Sequence, residues 1–379
     1  MNRLPAYRTL LTVAAAATLL LAACATGADE PGSAGGGPAA RLRAKPLAFG
    51  DVNRVVVVAD DELLAGPVGD SLRYYYEQAY PLMPQPEPLY DLRFMTPEQL
   101  MSRAPQRELR AYVVLADLTA EDSPTTQLVA ADVGEERLLA ARENPNKGSR
   151  IVGDRWARDQ TVIYLFAEGH DELADLVARS FPAASRRLAE GDRPKLEANV
   201  YQAGRSRFVA DSVRALTGLA LDLPSDYRLA RADEDLVWLR RDLGEVIQNL
   251  IVSSVPYTGT EQVSADSAVA YRNRLGRAAV RSNTVGSYMT TNDRDLPLVT
   301  EATEIGGRYA LEVRGVWEMT DDFMGGPFFT YLLPDPEAGR LYVLDAFAYA
   351  PGKGKRNYMQ QLELIARSAT VPDGARRAG

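Results

Sequence analysis

The chain reads as a mixed protein in two parts, α/β then α+β: an N-terminal α/β layer with mainly parallel strands, followed by an antiparallel sheet with packed helices. Two observations predict this. In the first half, continuous β-branched runs alternate with helical patterns, as buried parallel strands joined by crossover helices do. In the second, strands follow one another across short polar turns, as antiparallel hairpins do.

The elements follow in order. Residues 1–23 read as a signal peptide, with Arg3 and Arg8 ahead of an apolar run from Leu10 to Leu21. That run, about 12 residues, is too short to span a bilayer. It closes on Leu21-Ala22-Ala23-Cys24, a lipobox, so Cys24 is the expected site of a diacylglycerol and an N-acyl chain. Cys24 is the only cysteine, so acylation leaves no thiol for a disulfide, a metal or a nucleophile. Ala25 at the second mature position points to the outer membrane. Residues 24–44 form the lipidated cysteine and a flexible linker rich in Gly, Ala, Pro and Ser, with the composition of a tether and not of a core.

The α/β domain is expected over 45–204. Asn53–Asp60, Ala111–Asp117 and Thr161–Glu168 are its strands, being apolar on both faces. Helices are expected at Asp70–Tyr80, Thr125–Ala141 and Asp171–Leu188, the last interrupted at Pro182. Pro81, Pro84, Pro86 and Pro88 predict a stiff extended connection. The α+β domain is expected over 205–371. Its strands are Tyr227–Arg231, Leu236–Arg241, Glu245–Tyr257, Arg308–Met319, Gly326–Leu333 and Arg340–Ala350, with helices at Ala265–Arg281 and Arg356–Ala369. In Arg308–Met319, alternation sets Tyr309, Leu311, Val313 and Trp317 against Arg308, Glu312, Arg314 and Glu318, so one face is expected to be wet. Residues 372–379 read as a tail.

A formal net charge of −8 gives no basic footprint for nucleic acid, and 46% hydrophobic residues suffice for packed cores. The strands of the first domain end in acids: Asp60 with Asp61, then Asp117, then Glu168. Parallel strands would bring these ends together, where hard oxygen ligands hold a divalent cation or a carboxylate acts as a base. The stronger reading of the same acids is that they favour the N-terminus of the next helix, as Asp and Glu after a strand commonly do. Two further segments are candidate ligand sites. Lys353, Lys355 and Arg356 lie in a glycine-containing turn before a helix, where N–H groups and cations suit an anion. Trp317, Glu318, Asp321 and Asp322 mix acids with large apolar groups, a composition suited to a binding rim. His170 is the only histidine, and no G-x-S-x-G surrounds any serine, so triad hydrolysis has no sequence support.

Gly66-Pro-Val-Gly-Asp-Ser-Leu-Arg73, Gln85-Pro-Glu-Pro-Leu-Tyr-Asp91, Arg314-Gly-Val-Trp-Glu318 with Met324-Gly-Gly-Pro-Phe328, and Lys355-Arg-Asn-Tyr-Met-Gln-Gln-Leu-Glu363 resemble a Bacteroidota lipoprotein family, domain-of-unknown-function family 4837, from about Lys45 to Val371. The resemblance implies an envelope lipoprotein and supplies no catalytic residues. The function expected from the sequence is that of a lipid-anchored binding or scaffold component of the periplasm or outer membrane. Its partners would be the membrane, through the anchor, and another envelope protein or a periplasmic ligand, without nucleic acid. The alternative is a metal-dependent enzyme using the acidic strand ends.

Overall fold

In a computed structural model, residues 45–371 are described, apart from Asp235. The signal peptide, the lipobox with Cys24, the linker and the tail lie outside the described residues. From Lys45 onward the chain forms one compact unit containing both sheets.

Strand β1 (Arg54–Val58) leads through short helix α1 (Asp61–Leu64) into α2 (Pro67–Tyr76); β2 (Asp91–Met95) is followed by α3 (Pro97–Ser102) and α4 (Ala104–Arg107). Then come β3 (Ala111–Asp117), α5 (Pro124–Val133), α6 (Glu135–Glu143), β4 (Ser149–Gly153), β5 (Thr161–Ala167) and α7 (His170–Val200). The strands form a sheet in the order β2-β1-β3-β5-β4, parallel except where β4 runs against β5. The two-faced apolar runs explain its burial. Val55, Val57, Val113 and Leu165 meet α1, α2 and α7 on one side, and Val56, Val58, Tyr112 and Tyr164 meet α3, α5 and α6 on the other, as period-two alternation requires.

Four features differ from the sequence expectation. Helix α2 starts three residues early and ends at Tyr76. The edge strands β2 and β4 had no apolar signature because they are largely exposed. The helix expected over Thr125–Ala141 is two, broken at Gly134, whose φ of 91° lies in a region open to glycine. Helix α7 is neither interrupted at Pro182 nor ended at Leu188; it continues for 31 residues through Pro182 and Pro194. Packing overrides local preference here: Leu173, Leu176 and Leu188 belong to the first core, and Val200 reaches the second.

The second half opens with α8 (Arg207–Thr217), which the sequence reading missed, and continues β6 (Arg228–Asp233), β7 (Leu236–Asp242), β8 (Ile247–Pro256), α9 (Ala265–Ala279), β9 (Met289–Asn292), β10 (Val299–Ile305), β11 (Arg308–Met319), β12 (Asp322–Asp335), β13 (Arg340–Tyr349) and α10 (Arg356–Ala366). The antiparallel sheet runs β10-β11-β12-β13-β8-β7-β6, with β9 paired to β11. Helices α8 and α10 cover one face through Val213, Met359, Leu362 and Ile365; α9 covers the other through Ala268 and Leu275. Gly326 explains the Met-Gly-Gly-Pro-Phe block. A Cβ there would sit 2.1 Å from the Ala348 carbonyl oxygen and 2.9 Å from Trp317 Nε1, so the strands close up only without a side chain.

The expected wet face of β11 is corrected by the cover it receives. Glu312 is only 2% exposed because its carboxylate and Arg314 face Glu363 of α10 and Arg367 just beyond it. Tyr309, expected inside, is 53% exposed.

Candidate functional site

The two halves meet where α7 and α10 run past the start of β1. Asn53 holds a left-handed φ of 62° and bonds in two directions. Its N–H donates to Asp192 Oδ2 of α7 at 2.6 Å, and its Nδ2 donates to Asn357 Oδ1 at 2.9 Å and Gln360 Oε1 at 2.6 Å of α10. Gln360 Nε2 returns a bond to Asn53 Oδ1 at 3.2 Å. Arg110 Nε donates to the other oxygen of Asp192 at 3.2 Å. Burial pushes the Asp192 carboxyl above the usual range, against the bonds from Asn53 and Arg110.

Beside this junction a cleft of about 360 Å³ opens between α7 and α10. Its lining includes Asp192, Arg193, Glu197, Arg205, Glu363 and Arg367. The charges are matched in pairs. Arg193 meets Glu197 at 3.0 Å; Arg205 meets Asp222 at 3.7 Å and stacks 3.8 Å over the Tyr201 ring. Burial, reinforced by Asp222, pushes the Tyr201 hydroxyl up to about 12. Behind the wall, Tyr80 Oη donates to Glu363 Oε1 at 2.9 Å, Arg314 pairs with both Glu363 and Glu312, and Arg367 reaches Glu312 at 3.2 Å. Burial raises the Glu312 carboxyl, opposed chiefly by Arg314.

The acidic strand ends lie elsewhere and do not form the expected cation cage. Asp60 accepts from Ser123 Oγ and, at 2.7 Å, from Thr125 Oγ1 at the start of α5. Asp117 accepts from Thr119 N–H at 2.9 Å and Gly169 N–H at 2.8 Å, with His170 Nε2 3.5 Å from its second oxygen. Burial opposes ionisation of Asp117, but these bonds outweigh it and hold its carboxyl below the usual range. Glu168 pairs with Arg142 at 3.0 Å, and Asp61 is exposed at the start of α1. Each of the three partnered acids is thus engaged within the chain: Asp60 with the start of α5, Asp117 with the loops after β3 and β5, and Glu168 with α6. Among the described residues, no three Asp, Glu, His or Cys side chains group as a metal site would require.

The expected anion cradle exists, and the chain fills it. The N–H groups of Lys355 and Arg356 donate to Glu87 Oε1 and Oε2 at 2.6 and 2.9 Å. The Arg356 guanidinium meets Asp91 at 2.7 Å, and Lys353 pairs with Glu245 at 2.9 Å. The proline-rich connection is therefore a strap pinned to α10, and the segments 85–91 and 355–363, quoted separately for the resemblance, contact each other. Of the expected rim, Trp317 is buried at 2% exposure and donates from Nε1 to Ala348 O at 3.2 Å. Glu318 accepts from Asn292 Nδ2 at 2.9 Å, Asp322 caps its own turn by accepting from Phe323 N–H at 2.8 Å, and Asp321 lies in that turn.

The cleft residues Asn53, Asp192, Glu363 and Arg367 were not singled out from the sequence. The available signal was a polar stripe on α10, Asn357, Gln360 and Glu363, opposite Met359, Leu362 and Ile365; such a stripe reads as solvated surface until its cover is known.

Residues 206–368 match the family described as Domain of unknown function (DUF4837), and residues 48–198 match Domain of unknown function (DUF8532). The resemblance expected across both halves thus divides between two families. No curated protein matches the chain. Among solved structures, the Ran-binding protein Mog1p of Saccharomyces cerevisiae is 10% identical with a TM-score of 0.28, over 42% of this chain and 94% of that one. LpqN of Mycobacterium tuberculosis, described as involved in cell envelope biogenesis, is 17% identical with a TM-score of 0.25, over 41% and 83%. A STAR-related lipid transfer protein of Xanthomonas axonopodis is 16% identical with a TM-score of 0.21, over 38% and 93%. These likenesses are too slight to carry the fold or the function of this chain.

Proposed function

We propose that this chain, whose residues 206–368 match the DUF4837 family, is a non-catalytic binding component of the bacterial cell envelope, held at the outer membrane by acyl chains on Cys24. The observation that carries the reading is the cleft of about 360 Å³ between α7 and α10. Its size falls in the range of small-ligand sites, and it sits at the junction of two sheets, where such sites are commonly found. Its lining presents carboxylates and guanidiniums side by side, so an occupant that carries both signs at short separation meets a partner for each. An amino acid or short peptide with free termini has that chemistry. The metal-dependent alternative is set aside because Asp60, Asp117 and Glu168 already serve as acceptors for loop groups and Arg142.

The test is thermal unfolding of the full chain in detergent with tetraalanine, free or acetylated and amidated. The free peptide should raise the melting temperature, by the equivalent of about 2.7 kcal/mol at a hundredfold excess over Kd. The blocked peptide should not, and Leu364→Trp, which fills the cleft, should remove the effect. Equal stabilisation by both peptides, or by neither, would reject the ligand class. The anchor is tested separately: Cys24→Ser should abolish palmitate labelling and release the protein from sedimented membranes, since one visible anchor supplies all membrane affinity.

A further inference from the structure

A second, smaller cavity lies on the opposite face of the antiparallel sheet, away from the α7–α10 cleft. It is a slot of about 90 Å³, room for one large side chain and too small for a lipid acyl chain. Trp317 and Phe347 are its buried floor; Trp238, Met324 and Tyr349 are half-buried around its opening. Arg240 and Arg281 also line it. Arg281 is exposed and forms no ion pair among the described residues. Arg240 has one exposed contact, to Asp242 at 3.4 Å.

Directly beside the slot stands an aromatic knob. Phe323, the neighbour of Met324, is fully exposed at 108%, and Val285, on the turn after Arg281 and Ser282, is exposed at 99%. The two tips are tied together. Thr320 N–H donates to Tyr288 O at 3.0 Å, and Thr284 Oγ1 donates to Asp322 Oδ2 at 3.4 Å. A register shift after Glu318 accommodates Phe323 and Met324 as extra residues between the paired positions Met319–Asp322 and Glu318–Gly325. Asp321 and Asp322 precede the ring, and neither pairs with a cation among the described residues.

One edge of the molecule therefore presents an aromatic knob behind two carboxylates and an aromatic slot beside two guanidiniums. We infer that this edge is a self-association surface, where Phe323 of each copy seats in the Trp317–Trp238 slot of a second copy and Asp321 and Asp322 meet Arg281 and Arg240. Because knob and slot adjoin, a two-fold axis satisfies both at once, the arrangement of an isologous dimer. The second copy is favoured over a membrane because the ring would bring its two carboxylates against an anionic surface.

The chain from Ala25 onward, without acyl groups, should show concentration-dependent dimerisation in sedimentation velocity. Phe323→Ala and Arg281→Asp should each weaken it by about tenfold or more, as truncating a central anchor does. Because both side chains are exposed, near-ultraviolet circular dichroism should be unchanged. Arg281→Asp mixed with Asp321→Arg should recover a heterodimer that neither forms alone. A monomer at every concentration, or a dimer indifferent to Phe323→Ala, overturns the inference; a monomer with the slot occupied by an acidic-aromatic peptide would assign the surface to a different partner.

Discussion

Asn53 combines a left-handed backbone with side-chain bonds to α10, and the two roles separate by substitution. Asn53→Gly removes the bonds while accepting the conformation; Asn53→Ala removes the bonds and strains the backbone by a further ~1–2 kcal/mol. Chemical unfolding should rank wild type above Gly and Gly above Ala, and equal losses would show that the conformation carries no cost. A second case is Arg272, wholly buried with its guanidinium carbon 3.8 Å from the Phe328 ring centroid. Its Nε lies 2.9 Å from Asp345 Oδ1, and Asp345 also accepts from Thr330 Oγ1 at 2.7 Å. Burial pushes Arg272 down and Asp345 up from their ordinary values, and each opposes the other's shift. Arg272→Met should cost about 3–5 kcal/mol because it strands a buried carboxylate, while adding Asp345→Leu should restore most of that. A double variant no more stable than the single one would locate the cost in lost packing. Neither residue stood out in the sequence, where a charge inside a helix or strand looks like any solvated one.

At the scale of elements, the strap from Pro81 to Pro88 and helix α10 hold the halves together through Glu87. Glu87→Ala leaves two helix N-terminal N–H groups without their acceptor and should destabilise by about 1–3 kcal/mol; Glu87→Gln, which keeps an acceptor, should lose less. Urea midpoints measure both, and an unchanged midpoint for Glu87→Ala would mean water replaces the carboxylate fully. The turn's anion-binding character was legible from Gly352 to Arg356. Its occupant was not, because Glu87 lies far away in sequence and reaches the cradle only through the fold. Edge strands were the other loss: β2 and β4 are largely exposed and carry no long apolar run.

At the scale of the molecule, α7 supplies Leu173 to Leu188 to one core and Val200 to the other. Asn53, Glu87 and Arg356 stitch the halves across α10. Calorimetry of the full chain should therefore show a single cooperative transition, and two resolved transitions would show that the halves unfold separately.

The sequence alone determined the strands whose neighbours hardly matter to their identity: Ala111–Asp117 and Arg308–Met319 begin and end where their patterns do. Apolar periodicity is local, and burying it is favourable wherever the cover comes from. The tertiary structure alone decided what covers the polar groups. Glu312 and Arg314 read as wet residues and Asp192 carried no signal, yet Glu312 lies buried and the other two largely shielded because charges distant in the chain meet them. A polar side chain's environment is set by its partners, and those partners are not written in its own neighbourhood of the chain.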